Sequence, residues 1–259
     1  VVDGEVTAAQ RTGADVGRCT STFQGFLHFT APQVTRRTTL TVRLALIAED
    51  GSLLHDTALD LEVFPTPEEI AKRACVVGGP DSEAARLADE MHLQTAPLQE
   101  IQPGDVILLS EVGPELNEVA ARVAQGATAL FVNLPPGQVE IAGDEITVEP
   151  CGMNARHFSS RATGHPLVAD LKPDDVWFWY DAGAGYVTPL LATTFNAPGW
   201  TPILTSGNGD WSGEWGPALA AAEKPYGQGK LRICQVSLAG RTRHNPVARR
   251  LASRLLGAP

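Results

Sequence analysis

The amino-acid sequence predicts a multi-domain chain: a small β-sandwich followed by an α/β domain. Three features carry that expectation. Apolar residues alternate with polar ones through roughly the first sixty positions. Pro65-Thr66-Pro67 then breaks the pattern, because two prolines in three residues cannot continue a paired central strand. Beyond them, short apolar runs alternate with helical periodicity, the mark of a largely parallel sheet with crossover helices. The domains are accordingly drawn at residues 1–66 and 67–259.

In the first domain, Phe23, Leu27 and Phe29 share one side of a run whose other side carries Gln24 and His28. Leu40, Val42, Leu44 and Leu46 alternate with Thr41 and Arg43, and Leu59, Leu61 and Val63 alternate with Asp60 and Glu62. A period of two gives each strand one buried face. Asp50-Gly51 is a turn signal between two of these strands. With no helical period in the region, a sandwich is the expected solution.

In the second domain, Ala74–Val77 reads as a strand ending at Gly78-Gly79-Pro80, with Pro80 suited to open a helix. Ala84, Leu87, Ala88 and Met91 follow helical spacing, and Asp105–Leu109 is the next strand. Gly113-Pro114 precedes a helix with Leu116, Val119, Ala120 and Val123 on one face, closed by Gly126, and Ala127–Val132 is a third strand. Glu140–Ile141 and Ile146–Val148 flank Gly143-Asp144 as a hairpin. Thr188–Thr194, Pro202–Thr205, Ala218–Ala222 and Leu231–Val236 are strand candidates. Asn245-Pro246 opens a last helix with Val247, Leu251 and Leu255 inward, ending at Gly257.

Composition limits the function classes. A formal charge of -10 opposes nucleic-acid binding, which needs clustered Lys and Arg. The arginines at 241, 243, 249, 250 and 254 read as the solvated face of the last helix. No apolar run reaches the roughly 18 residues of a membrane span. The first residues, Val1-Val2-Asp3-Gly4-Glu5, carry no signal core, so processing or truncation is expected to set this start; the compartment stays open. The four cysteines, Cys19, Cys75, Cys151 and Cys234, lack metal-site spacing, and Cys75 and Cys234 lie in apolar runs as buried thiols. No cofactor or metal is expected.

Gly78-Gly79-Pro80-Asp81 joins a strand to a helix but fits no phosphate-binding motif, and Asp81 and Glu83 would repel an anion. The turn Asn133–Gly137 stands where an amidotransferase-like layout carries a nucleophile, yet contains neither Cys nor Ser. Cys151 has His157 and His165 near in sequence, but nothing fixes a base beside it, and it is read as structural. Asp170, Asp174, Asp175, Asp181, Asp210 and Glu214 are assigned no hydrolytic pair. Trp177-Phe178-Trp179-Tyr180 places four aromatics in a row, with Trp177 and Trp179 expected in the core. Ser206–Pro217 (SGNGDWSGEWGP) reads as a long Gly-rich surface loop. Its Asp210, Trp211, Glu214 and Trp215 are the candidate contacts, to a protein partner first and to sugar second.

Several stretches resemble glycoside hydrolase family 2, the β-galactosidase and β-mannosidase group. Gly25–Pro32 (GFLHFTAP), Leu44–Leu53 (LALIAEDGSL) and Leu59–Pro65 (LDLEVFP) are similar to its immunoglobulin-like sandwich. His165–Leu171 (HPLVADL), Trp177–Trp179, Trp215–Leu219, Gly227–Lys230 and Asn245–Ala248 are similar to an extra α/β domain in some members. The layout from Ala74 onward resembles the flavodoxin-like class I glutamine amidotransferase fold. The resemblance implies a non-catalytic C-terminal piece of a glycosidase, partnered by a catalytic barrel. The family's two catalytic glutamates lie on that barrel, which takes about 250 residues of its own and finds no room here. The alternative is an independent enzyme or binding protein of amidotransferase-like layout.

Overall fold

A computed structural model describes residues 8–15, 17–26, 28–66, 70, 72–152, 155–209 and 215–257, with the backbone alone at 208, 209 and 215. The described chain is β-rich, with three α-helices among the described residues. It divides into two compact units, Val1–Glu68 and Glu69–Pro259.

In the first unit, β1 (Thr38–Ile47) pairs antiparallel with β2 (Leu53–Val63). The turn between them forms as Asp50-Gly51 suggests. Gly51 takes φ +87°, and Asp50 Oδ1 accepts from the Ser52 N–H at 2.9 Å. The register sets Leu40 opposite Leu61, Val42 opposite Leu59 and Thr38 opposite Val63, so every alternating leucine and valine falls on one face. Leu40 is buried on that face, but Leu44, Leu46 and Leu59 are exposed. Where a sandwich is expected, the described residues of this unit hold this one two-stranded sheet. Phe23–Phe29 forms no strand among its described residues, Leu27 lies outside them, and Phe23, Phe26 and Phe29 are exposed. The reason is physical: alternation marks which face of a strand wants cover, but says nothing of whether a neighbouring edge exists.

The second unit is built on one ten-stranded sheet. β3 (Arg73–Val77) leads through α1 (Glu83–Glu90) to the two-residue β4 (Gln94–Thr95). β5 (Val106–Leu109), α2 (Leu116–Ala124) and β6 (Thr128–Val132) follow. Ser82 caps α1 by accepting from the Ala85 N–H at 3.2 Å, so the helix opens there rather than at Pro80. Gly126, at φ +119°, ends α2 as its position suggests. β7 (Gly137–Ile141) and β8 (Asp144–Pro150) form the expected hairpin. The tiny ribbon β9 (Tyr180–Asp181) and β10 (Tyr186–Val187) comes next, then β11 (Thr193–Asn196), β12 (Thr201–Gly209), β13 (Trp215–Tyr226) and β14 (Gly229–Cys234). The last helix, α3 (Pro246–Leu255), is capped by Asn245 Oδ1, which accepts from Val247 and Ala248.

Strand order is β4-β3-β5-β6-β14-β13-β11-β8-β7, with β12 on β13. Five strands, β4 through β14 in that order, run parallel; the other contacts are antiparallel. The sheet is therefore half parallel, not mostly parallel. No α-helix lies between α2 and α3 among the described residues, and without crossover helices successive strands return as hairpins. β13 is the hub, paired with β12, β14 and, through Leu219, β11. The core gathers Ile107, Leu109, Phe131, Phe195 and Ile233 from the sheet with Val119 and Val123 from α2.

Candidate functional site

The chain runs from β3 outward to β4 and then back past β3 to β5, so strand order reverses between β3 and β5. In open α/β sheets the crevice beyond the carboxyl ends at such a reversal is where ligands bind. Here it is lined by Gly78, Ser110, Glu111, Asn133 and the first turn of α1. Ser110 Oγ accepts from the Ala84 N–H at 2.7 Å and Ser82 takes the next donor. These side chains occupy the N–H groups that a phosphate would use, and Glu83 adds negative charge.

At the end of β6, Asn133 takes a left-handed φ of +49°. Its Nδ2 lies 3.5 Å from Glu83 Oε2, and its Oδ1 is buried without a partner. Gln235 clasps the next residue: Oε1 accepts from the Leu134 N–H at 2.8 Å, and Nε2 donates to its carbonyl at 3.0 Å. The backbone thus turns sharply, as a nucleophile's elbow does, but the residue is a carboxamide and the chain enters β7 rather than a helix. Among the described residues, neither His157 nor His165 serves Cys151 as a base. Burial raises its thiol, against a Ser206 hydrogen bond and the charge of Arg156. His165 is committed to Glu223 Oε1 at 3.3 Å, and the His157 ring stacks on Phe178 at 6.0 Å.

Asp170, Asp175 and Asp181 serve local structure, while Asp210 and Glu214 lie outside the described residues. Asp170 pairs with Arg250 and Arg254. Asp175 accepts from the Lys172 N–H at 2.7 Å, and Asp181 holds the turn to Gly183, Ala184 and Thr188. Among the described residues no group of His, Cys, Asp and Glu could hold a metal ion.

The Ser206–Pro217 segment is largely not a loop. Gly209 pairs with Trp215, Asn208 with Gly216 and Gly207 with Pro217, so both flanks belong to the β12–β13 hairpin. Neighbouring-strand hydrogen bonds hold the glycines extended despite their freedom. Asp210, Trp211 and Glu214 lie in the connection outside the described residues, and Trp215 begins β13.

The exposed aromatics stand elsewhere. In the run 177–180 only Trp179 is in the core, 3% exposed, its Nε1 donating to the Asp175 carbonyl at 2.6 Å with Arg241 against its ring. Trp177 is 46% exposed, correcting its expected burial, and Phe178 and Tyr180 are 60% and 58% exposed. Phe178 has φ +48°, which breaks the strand alternation and turns neighbouring rings to solvent together. Phe158 bridges Trp177 antiparallel and is exposed beside it. The signal was in the sequence: Asp181-Ala182-Gly183-Ala184-Gly185 follows the aromatics at once, so they lead into a turn rather than a core strand.

No family model and no curated protein matches the chain. Among solved structures, it is similar to a β-galactosidase from Rahnella sp. R3 at 12% identity and TM-score 0.42, covering 73% of this chain and 32% of that one. It is similar to an exo-β-1,4-mannosidase from Opitutaceae bacterium strain TAV5 at 12% identity and TM-score 0.43, covering 73% and 36%. A cytoplasmic protein from Salmonella typhimurium LT2 aligns at 10% identity and TM-score 0.40, covering 84% and 95%. The chain spans about a third of the length of the two glycosidases.

Proposed function

We propose that this chain is a non-catalytic portion of a β-galactosidase- or β-mannosidase-like glycoside hydrolase. In this reading its first unit is part of an immunoglobulin-like sandwich and its second an amidotransferase-like α/β domain, packed against a catalytic barrel and shaping its cleft. Asp210, Trp211, Glu214 and Trp215, at and beside the β12–β13 tip, are the proposed contacts to the barrel or its sugar. The observation that carries the reading is the β1–β2 face. Leu44, Leu46 and Leu59 stand exposed on a sheet of two strands. Burying each would stabilise by about 1.5–3 kcal/mol, and a two-stranded sheet is marginal alone. Such a face is suited to be completed by further protein, and the sequence resemblance names the kind. Asn133 at the elbow weighs against the independent amidotransferase-like enzyme.

The direct test is an assay of the purified chain on a panel of aryl β-glycosides. No turnover is expected. Activity that persists through repurification overturns the reading. Reading the coding sequence that adjoins this chain is the companion check: a stretch of about 250 residues with eightfold strand–helix alternation is expected.

A further inference from the structure

We propose that Phe158, Trp177, Phe178 and Tyr180 form a binding platform for a neutral carbohydrate chain, separate from the β12–β13 tip. Four exposed rings come from two short segments that the antiparallel Phe158–Trp177 bridge holds side by side. Leaving them in water forgoes stabilisation, and a bulky residue at φ +48° adds strain of order 1–3 kcal/mol. The surroundings hold this arrangement firmly. Trp179 is locked beneath by its bond to the Asp175 carbonyl, the Phe178 N–H donates to the His157 carbonyl at 2.8 Å, and the Asp181 turn closes the far end.

The chemistry of the patch selects the ligand. Apart from Val187, which pairs with Tyr180, and the small Ala182 and Ala184, its exposed apolar groups are aromatic rather than aliphatic. Aromatic faces suit the C–H face of a pyranose ring, while the Tyr180 hydroxyl and Asp174 can take its hydroxyls. The chain's charge of -10 turns away anionic polymers. A ligand that is amphipathic ring by ring, uncharged and extended meets all three conditions. This site is independent of the proposed docking to a barrel, so either can fail alone.

The test is affinity electrophoresis of the full chain through gels containing soluble neutral galactan, mannan or β-glucan, with polygalacturonate as the anionic control. Retardation by at least one neutral glycan is expected, and none by the anionic one. Trp177→Ala, Phe178→Ala and Tyr180→Ala should each weaken binding roughly tenfold. Phe178→Gly separates ring from backbone: glycine adopts φ +48° freely, so its Tm should hold or rise while binding still falls. Absence of retardation by every neutral glycan overturns the proposal. So does retardation that all the variants retain, equal retardation by polygalacturonate, or self-association on sedimentation that the variants abolish without any glycan binding.

Discussion

At the scale of single residues, Glu223 has the clearest structural task. It accepts from Arg232 Nε at 2.8 Å, lies 3.2 Å from Lys230 Nζ and faces His165. Arg232 is buried, and its Nη1 donates to the carbonyls of Arg254 and Leu255 at the end of α3. Burial alone would raise the Glu223 carboxyl, but the bonds and charges of Arg232 and Lys230 outweigh it and hold the group below its ordinary 4.5. A depressed carboxylate contributes stability above its unfolded value, and that contribution is lost as pH falls through the folded one. Glu223→Gln is expected to cost about 3 kcal/mol at pH 7, because it leaves the buried Arg232 charge without its carboxylate, and to flatten the acid limb. Urea titrations of both proteins from pH 7 to pH 3 check this. A second expectation concerns thiols. Burial pushes Cys234 up to about 12 and raises Cys75, while Cys19 is exposed. Iodoacetamide on the native protein should modify Cys19 and spare Cys234 until denaturant is added, as peptide mapping would show. The burial of Cys75 and Cys234 was legible from their apolar neighbours. The Glu223–Arg232 pair was not, since nothing in sequence ties position 223 to the end of a helix that closes thirty residues later.

At the scale of elements, the β13–β14 turn explains Gly227-Gln228-Gly229-Lys230, a stretch the sequence offered only as a resemblance. The turn lies on the end of α2, where the Gln228 N–H donates to the Ala124 carbonyl at 3.0 Å. A Cβ on Gly229 would stand 2.0 Å from the Ala127 carbonyl oxygen, and one on Gly227 2.5 Å from Ala124 Cα. Gly229→Ala should therefore destabilise by about 3 kcal/mol, read as a lowered urea midpoint. The Asn245 cap is a milder case: Asn245→Ala should cost about 1 kcal/mol. Strand and helix existence was readable wherever period was strong, as in Ala74–Val132. Pro202–Thr205 and Ala218–Ala222 were readable as strands within β12 and β13, but their extension to the hairpin tip was not, because Gly207, Gly209 and Gly216 look like loop residues until a partner strand is known to lie alongside. The exposed rings were missed for a related reason. Alternation placed Trp177 and Trp179 together, and one left-handed residue between them parted them.

For the whole molecule, the two units differ in how much of their own apolar surface they cover. The unit Glu69–Pro259 encloses a continuous core from both halves of its sheet. The unit Val1–Glu68 buries Leu40 of its hairpin but leaves Leu44, Leu46 and Leu59 exposed. A chain of residues 69–259 alone is expected to unfold cooperatively, whereas residues 1–66 alone should show no cooperative transition. Circular dichroism of each through a thermal scan makes the comparison. A sharp transition in residues 1–66 would count against the incomplete-sheet account.

The strand order also constrains how the protein can be made. β14 pairs in register with β6, Lys230 beside Thr128 and Cys234 beside Val132, about a hundred residues apart. A ribosome adds residues at about 5–20 per second, so the edge of β6, carrying Ala129, Leu130 and Phe131, waits on the order of 5–20 s for its partner. Through that interval a sheet of β3, β5 and β6 would end in an open edge of unpaired N–H and C=O groups on β6, flanked by apolar side chains. Chains stalled or truncated after Tyr226 should accordingly collect in the insoluble fraction, while those extended through α3 remain in solution. The nascent chain is thus most vulnerable in that interval, and slow translation across β12 and β13 would lengthen it.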